Sequence, residues 1–227
     1  MLESIAPGVW HAPFDLVIPP RVSLGGRMVV VRLPDGRLWL HSPGPIDDAL
    51  AEELAALGEV GVLVAPNAFH HLYFGAAAQR YPDAERWVGP GLVATRPELG
   101  HDAVLGPQVP EAWAEALAMH RVGGIPKLDE AVFLHRPSKT LVVTDLVFNV
   151  QHVHGVMTHL VLWVAGTRRR LAVSRLVRSM IRDREAAAES AREILAWDFE
   201  RVVMAHGQVL DHDAHARMSE ALAVMRP

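Results

Sequence analysis

The stretch that decides the fold is residues 60–75, VGVLVAPNAFHHLYFG. Its first part, 60–64, is a short apolar run typical of a strand buried on both faces. Pro66 ends the run, and an alanine-rich segment that predicts a helix follows after His70 and His71. Open α/β sheets place their chemistry at the carboxyl ends of strands, so this turn is a candidate site. Taken alone, the two imidazoles are more simply explained if one caps or packs and the other is solvated.

The composition limits the class of protein. The chain has 227 residues, half of them hydrophobic, which is enough for one substantial core, and no repeat or linker divides it. We therefore expect a single domain over residues 1–227. The net charge of −4 does not favour a nucleic-acid partner or a general attraction to anionic membranes. No signal peptide and no apolar run long enough to span a membrane is evident, so we expect a cytoplasmic protein.

The rest of the chain alternates between strands and helices, which is typical of an α/β protein with a mixed sheet. We expect an irregular edge at residues 1–26 and a mostly irregular segment at residues 89–112. The expected strands are 28–33, 37–41, 60–64, 86–88, 117–122, 131–135, 141–144 and 201–205, with hairpins at 34–36 and 136–139. The expected helices are 46–57, 71–80, 185–197 and 211–225.

Four polar side chains follow directly after predicted strands. His70 and His71 follow the 60–64 strand, Asp145 follows the second hairpin, and His206 follows the last strand. The chain has 13 histidines and no cysteine, so a transition metal would be bound by imidazole and carboxylate groups. Three histidines and one aspartate form a reasonable ligand set for such a metal. Asp145 alone is also explained as a turn residue, and His206 alone as a cap.

The order of these elements and motifs resembles the metallo-β-lactamase fold. That resemblance implies a four-layered αββα sandwich with a metal site at one edge. The family signature is a strand running into Thr-His-x-His-x-Asp-His. Laid against residues 65–71, its two early histidines fall on Pro66 and Ala68, its aspartate on His70 and its last histidine on His71.

Two further family ligands match this chain and one does not. The aspartate that bridges two metals in the family matches Asp145 in LVVTDLVF, and the final histidine matches His206 in VVMAHG. The remaining family histidine falls near Gly124, where the chain has none. The first metal site of the family is therefore lost, whereas the positions of its second site hold His70, His71, Asp145 and His206.

The resemblance accordingly implies at most one divalent transition metal per chain. Zinc is favoured, and iron or manganese also accepts such ligands. The rotamer of His70 decides between a closed site with four protein ligands and an open site with three and a water. The runs NAFHH, LHRPSKTLVVTDLVFN, ILAWDF and VVMAHG more closely resemble an uncharacterised bacterial domain family of unknown function, which supplies a fold and no activity.

Several other polar residues are weaker candidates. His152, His154 and His159 have spacing that a metal site could use, in a segment that often covers the site in this fold. Glu130 is expected to be a solvated turn acid, or a partner that orients a ligand histidine. The remaining candidates lie near turns or strand ends and are Asn67, Ser138 and Lys139. The other histidines are expected to pack or lie at the surface; they are His11, His41, His101, His120, His135, His212 and His215.

One segment is strongly basic. Residues 168–184 contain seven arginines. The apolar residues between them are spaced to fall on one face of a helix, which predicts an amphipathic helix. A solvated arginine face docked by its apolar side is the simpler interpretation, and an anion-attracting rim or a helix for a partner or a membrane surface is the alternative.

The sequence leaves three functions open. They are a hydrolase with one metal acting on an unknown small molecule, a non-catalytic metal- or ligand-binding member of the fold, and an interaction protein that uses the 168–184 helix. The sequence does not specify an oligomeric state.

Overall fold

The computed structural model describes residues 1–19 and 21–226. The strands in this part of the chain are β1 (Glu3–Ala6), β2 (Val9–Phe14), β3 (Val17–Ile18), β4 (Val22–Ser23), β5 (Gly26–Arg32), β6 (Leu38–His41), β7 (Val60–Ala65), β8 (Glu85–Val88), β9 (Ala103–Val104), β10 (Leu117–Arg121), β11 (Ala131–His135), β12 (Thr140–Val142) and β13 (Arg201–Val203). The α-helices are α1 (Asp48–Leu57), α2 (Phe74–Arg80), α3 (Pro90–Thr95), α4 (Val156–Ala165), α5 (Arg175–Ser179), α6 (Arg184–Leu195) and α7 (Ala214–Leu222).

The strands form two large sheets and one small one. The first sheet has seven strands in the order β1-β2-β5-β6-β7-β8-β9, and the second has four in the order β10-β11-β12-β13. β3 and β4 pair with each other as a separate hairpin. The two predicted hairpins are confirmed, since β5 pairs antiparallel with β6 and β11 pairs antiparallel with β12. Within the second sheet, β13 lies parallel to β12.

Three apolar cores separate four layers. Alternate side chains of β7 point to opposite faces of the first sheet, as the period of a strand requires. Val62 and Val64 pack between the two sheets with Phe133, whereas Leu63 packs outward with α1 and α2. The outer face of the second sheet packs against α6 and α7. The order of layers is therefore helix, sheet, sheet, helix, and the predicted αββα sandwich is confirmed.

The amino-terminal segment differs from the expectation. Residues 1–26 contain four strands, and β1 and β2 extend the first sheet. Pro7, Gly8, Pro19 and Gly25, which suggested an irregular edge, lie between successive strands. Pro13 is accommodated inside β2, which pairs with β5 across residues 9–14. The segment is thus a sheet edge interrupted by turns, because short strands carry too few residues to show a period.

The prediction of a single helix over residues 168–184 is wrong. Only α5 and the first residue of α6 are helical there, and Ala172 instead forms an antiparallel bridge with Phe148. Ser174 begins a new helix, since its Oγ accepts a hydrogen bond of 3.1 Å from the backbone nitrogen of Val177. The longer helix of this region is α4, which the sequence analysis did not predict. None of the described helices has the length and apolar character needed to cross a bilayer.

Candidate metal centre

The site is built where strands of the two sheets end. Val142 of β12 and Val203 of β13 are paired neighbours in a parallel ladder. Asp145 and His206 each lie three residues beyond this pair, so the register of the ladder brings both side chains to the same edge. His70 reaches this edge from the first sheet, in the turn that follows β7. The structure thus joins three of the predicted residues, one from each of three strand ends.

The three side chains are in mutual contact. His70 Nε2 lies 3.3 Å from Asp145 Oδ2, and His206 Nε2 lies 3.4 Å from Asp145 Oδ1. One ligand atom from each residue lies within 4.8 Å of the others. Asp145 and His206 are buried, and His70 is partly buried. Among the described residues, this is the group of His, Asp and Glu side chains arranged to hold a metal ion.

The outer ring nitrogen of each histidine has its own partner. His70 Nδ1 lies 2.6 Å from Ser42 Oγ, and His206 Nδ1 donates to the carbonyl oxygen of Gly25 over 2.7 Å. The ring of Phe148 stacks on His206 with the centroids 5.3 Å apart. A histidine that donates Nδ1–H to a carbonyl presents the Nε2 lone pair to a metal ion when Nε2 carries no proton, whereas a protonated Nε2 donates to Asp145 instead. Both imidazoles are therefore held with Nε2 directed at Asp145.

Asn67 and Glu130 hold the aspartate in place. The side-chain nitrogen of Asn67 lies 2.9 Å from Asp145 Oδ2, and its side-chain oxygen accepts a bond of 2.8 Å from the His70 backbone nitrogen. Glu130 accepts hydrogen bonds of 2.8 to 3.1 Å from the backbone nitrogens of three consecutive residues, 144–146. The expectation that Glu130 is a solvated turn acid is wrong, because it is completely buried. It orients the Asp145 segment rather than a histidine.

Arg27 is a residue that the sequence analysis missed. Its side chain is buried and donates to the carbonyl oxygens of Met204 and Gly207, on either side of His206. Its Nε also donates to His11 Nδ1 over 3.0 Å. A charged residue within the apolar run of β5 was the available signal, because a buried arginine requires several acceptors.

The charges of the group are strongly coupled. Burial opposes the ionisation of Asp145, but attraction to His70 and hydrogen bonds from His206 and His70 outweigh it and hold the pKa of Asp145 far below its usual range. Burial likewise opposes a charge on His70, yet attraction to Asp145 raises the pKa of His70 above its usual value. Burial and the neighbouring Asp145 charge raise the pKa of Glu130. The centre is thus an anionic carboxylate that attracts positive charge from both sides.

His71 does not join this group. Its ring lines the cavity above the site, and its Nδ1 is buried without a hydrogen-bond partner among the described residues. Burial lowers the pKa of His71. Nor do the three histidines at 152, 154 and 159 belong to the group of ligand atoms. Ser138 and Lys139 lie in the hairpin at the other end of β12, where Ser138 bonds to His135 and Lys139 forms ion pairs with Asp198 and Glu200.

A largely apolar cavity opens above the three residues. Its volume is about 480 Å³, and Phe14, Phe148, Leu176 and Met180 contribute to its wall. His70, Asp145 and His206 are the charged or titratable groups of its floor. Such a cavity is large enough for a small organic molecule.

The donors match the requirements of a metal ion. Zinc binds imidazole nitrogen and carboxylate oxygen at about 2.0–2.2 Å, which places the donors of a tetrahedral site roughly 3.3–3.6 Å apart. His70 Nε2 and His206 Nε2 lie 3.3 and 3.4 Å from different oxygens of Asp145, and one donor atom of each residue lies within 4.8 Å of the others, so a small adjustment of these side chains would bring three donors to such separations. Three protein ligands also leave a position for water, as catalytic zinc sites do. The residues present therefore fit one metal ion.

The fold of the chain is shared with solved metallo-β-lactamases. A structure of the DIM-1 metallo-β-lactamase exposed to ceftazidime is 12% identical, with a TM-score of 0.68 over 98% of this chain and 95% of that one. The metallo-β-lactamase from Pontibacter korlensis is 15% identical, with a TM-score of 0.67 over 98% of each chain. The enzyme from Hirschia baltica is 16% identical, with a TM-score of 0.65 over 100% and 98%.

Sequence similarity identifies a family without a known activity. No curated protein matches the chain in sequence. The model of a domain of unknown function (DUF4336) matches residues 17–162, which include His70 and Asp145 but end before His206. This match spans well over half of the chain. The chain therefore belongs to the DUF4336 family of domains of unknown function, and its fold is that of the metallo-β-lactamases.

Proposed function

We propose that this protein is a metal-dependent hydrolase that binds one divalent transition metal, preferably zinc, through His70, Asp145 and His206. The observation that carries the proposal is the convergence of three donors from three strand ends, with ligand atoms within 4.8 Å of one another. The distances to Asp145 and the partners of the outer ring nitrogens support the same ligand set. His71, which the sequence analysis included, is left out of this set.

A metal in such a site lowers the pKa of a bound water and polarises a substrate oxygen. The protein supplies the rest. Asn67 and Glu130 fix Asp145, while Ser42 and the Gly25 carbonyl fix the two rings. This support keeps the three donors close together before a ligand arrives, which limits the reorganisation needed on binding. The apolar wall of the cavity admits the less polar part of a substrate.

A second candidate is a member of the fold that binds metal or ligand without catalysis. It is favoured by Pro66, Ala68 and Gly124, which stand where the family has the ligands of its first metal site. Gly124 also leaves no room for a histidine, because a Cβ there would lie 2.1 Å from the carbonyl oxygen of Asp183. We therefore expect little or no turnover of β-lactams, thioesters or phosphodiesters.

Elemental analysis of protein purified without chelators or a histidine tag tests the metal proposal. We expect at most one transition metal per chain, and a loss of metal together with a lower melting temperature in His206→Ala. Acid should release the metal, since its ligands must be deprotonated to bind. Two metals per chain, or an unchanged metal content in His206→Ala, would contradict the ligand set.

Activity assays then separate the two candidates. The wild-type protein and His206→Ala are compared on panels of esters, lactones, amides and the three substrate classes named above. Metal-dependent hydrolysis that is lost in His206→Ala supports the hydrolase. A metal-loaded protein without turnover on any panel supports the non-catalytic alternative. Turnover of a β-lactam, thioester or phosphodiester at about 10⁴ M⁻¹s⁻¹ or more would show that one site is sufficient for those substrates.

A further inference from the structure

Helix α4 exposes one face of large apolar side chains. We call these five exposed side chains the α4 patch: Val156, Met157, Leu160, Trp163 and Val164. Val156 is 87% exposed and Trp163 is 63% exposed. At 3.6 residues per turn all five lie on one side of the helix, whereas Thr158 and Leu162 on the opposite side are buried. Contiguous exposed apolar surface of this kind marks an interaction site.

The α4 patch borders the mouth of the metal-site cavity. α4 packs against β4 and α5, and the backbone nitrogen of Ser23 donates to Thr158 Oγ1 over 3.0 Å. The elements beside it contribute more exposed apolar side chains, including Ile18 of β3 and Leu176 of α5. Both of these side chains line the cavity, as do the exposed Phe69 and Leu72. The apolar surface therefore runs from α4 to the rim of the cavity.

Arginines lie at the carboxyl end of the same helix. Arg170 Nε donates to the carbonyl oxygen of Gly166 over 2.7 Å, and Arg175 Nη1 donates to that of Val164 over 3.0 Å. Arg168, Arg169 and Arg178 are exposed nearby in sequence. Within residues 1–19 and 21–226, no carboxylate lies within 4.0 Å of any of these five guanidinium groups. Their positive charge is available to an anionic partner.

We propose that the α4 patch and these arginines dock on the surface of an anionic phospholipid bilayer. Apolar side chains beside a basic cluster are the combination that binds such a surface, because burial of apolar area and attraction to lipid phosphates add together. Trp163 suits the boundary between headgroups and acyl chains. Docking in this way turns the rim of the cavity towards the lipid.

A second copy of the chain is a poorer occupant of the same surface. A symmetric dimer buries the same surface of both subunits against each other. Contact through α4 offers these arginines no carboxylate partner from the facing helix, because α4 contains no acidic residue. An anionic bilayer instead satisfies the arginines and the apolar side chains at once. The proposal does not depend on a bound metal.

Vesicle co-sedimentation of the full chain tests the proposal. Vesicles of phosphatidylcholine with about a third phosphatidylglycerol are compared with vesicles of phosphatidylcholine alone, at low and at physiological salt. We expect binding to the anionic vesicles that weakens with salt, and little binding to the neutral ones. Added anionic vesicles should also shift the emission of Trp163 to shorter wavelength, measured as the difference from Trp163→Phe.

Matched variants assign the binding to this surface. Arg168→Gln with Arg178→Gln should weaken binding by roughly 20-fold, since each arginine near an anionic surface contributes about fivefold. Leu160→Ser with Trp163→Ser should weaken it by roughly tenfold or more. Arg136→Gln is the control, because this exposed arginine lies in the hairpin at the opposite end of β12 and should leave binding unchanged. All of these side chains are exposed, so melting curves should match the wild type.

Three outcomes would overturn the proposal. The first is no binding to anionic vesicles at low salt. The second is binding that both double variants leave unchanged. The third is a dimer in solution that Leu160→Ser with Trp163→Ser dissociates, which would assign the surface to a second copy of the chain. Metal content measured on the same variants should equal that of the wild type. A negative result for membrane binding is therefore distinguishable from a negative result for metal binding.

Discussion

The candidate metal centre and helix α4 depart from ordinary protein anatomy in opposite directions. At the metal centre, charged groups that are usually solvated are buried, and each has several partners. At α4, apolar groups that are usually buried are exposed. Folding alone favours neither arrangement, because buried charge and exposed apolar surface both oppose stability. The candidate metal centre is therefore a polar site whose side chains already have their partners within the chain, whereas the exposed face of α4 has no partner within the described residues.

The most severe test of the preorganised region is Gly207→Ala. Gly207 has a φ of +101°, and a Cβ there would lie 2.2 Å from the backbone of Asn149. We expect a loss of about 4 kcal/mol in the free energy of unfolding, from backbone strain together with the overlap. Urea denaturation measures this loss. Gly36→Ala is the control, since Gly36 has a φ of +87° with nothing within 4 Å, and it should lose only about 1 kcal/mol.

Arg27→Met tests whether the hydrogen bonds of Arg27 fix the position of the loop that carries His206. The variant keeps most of the apolar stem and removes the bonds to the carbonyl oxygens of Met204 and Gly207. We expect a loss of about 2–3 kcal/mol in unfolding free energy and a metal affinity weaker by roughly 10- to 100-fold. Denaturation and metal competition measure the two effects. An unchanged metal affinity would show that Arg27 supports the fold and not the site. The exposed Arg136→Met should change neither quantity.

The pH dependence of stability provides a third test, on the metal-free protein. Burial and the charge of Arg27 lower the pKa of His11 to about 4. The unfolded chain then binds the proton more tightly, so His11 contributes stability that is complete above pH 6.5 and is lost as the pH falls towards 4. His11→Gln should take up about one proton fewer on unfolding near pH 5. A slope of unfolding free energy against pH identical to that of the wild type would contradict this assignment.

The smallest expected effect belongs to the exposed region. Leu160→Ala should change the free energy of unfolding by no more than about 0.5 kcal/mol, because the side chain contacts mainly solvent. Leu162→Ala in the same helix should lose about 2–4 kcal/mol, since Leu162 is buried. Equal losses would show that the exposed face of α4 is covered in solution.

The fold was largely predictable because it depends on patterns that are local in sequence. The apolar run that forms β7, the Pro34 turn and the alternating runs of β11 and β12 each carry their own signal. α4 was not predicted because its apolar residues face both inward and outward, which removes the period of an amphipathic helix. The arginine-rich segment suggested a helix because its apolar residues recur at helical spacing, although α5 covers only residues 175–179 of it.

The place of the candidate site in the fold was predictable from the sequence, but the exact set of residues that meet there was not. Residues that follow strand ends gave Asp145 and His206, because a parallel pair of strands aligns whatever lies beyond it. Gapless alignment placed both His70 and His71 among the ligands, because the sequence of a short turn does not show which ring faces Asp145. The Asn67 side chain that accepts bonds from the backbone of Phe69 and His70 makes that choice. Long-range partners such as Arg27 and Glu130 depend on contacts that no local pattern records.

The most direct test of the central claim compares His70→Ala with His71→Ala. Both variants are purified without chelators or a histidine tag, and their metal content is measured by inductively coupled plasma mass spectrometry. The account predicts that His70→Ala loses its metal while His71→Ala retains the content of the wild type, because His70 and not His71 belongs to the group with Asp145 and His206. Metal retained in His70→Ala and lost in His71→Ala would contradict it.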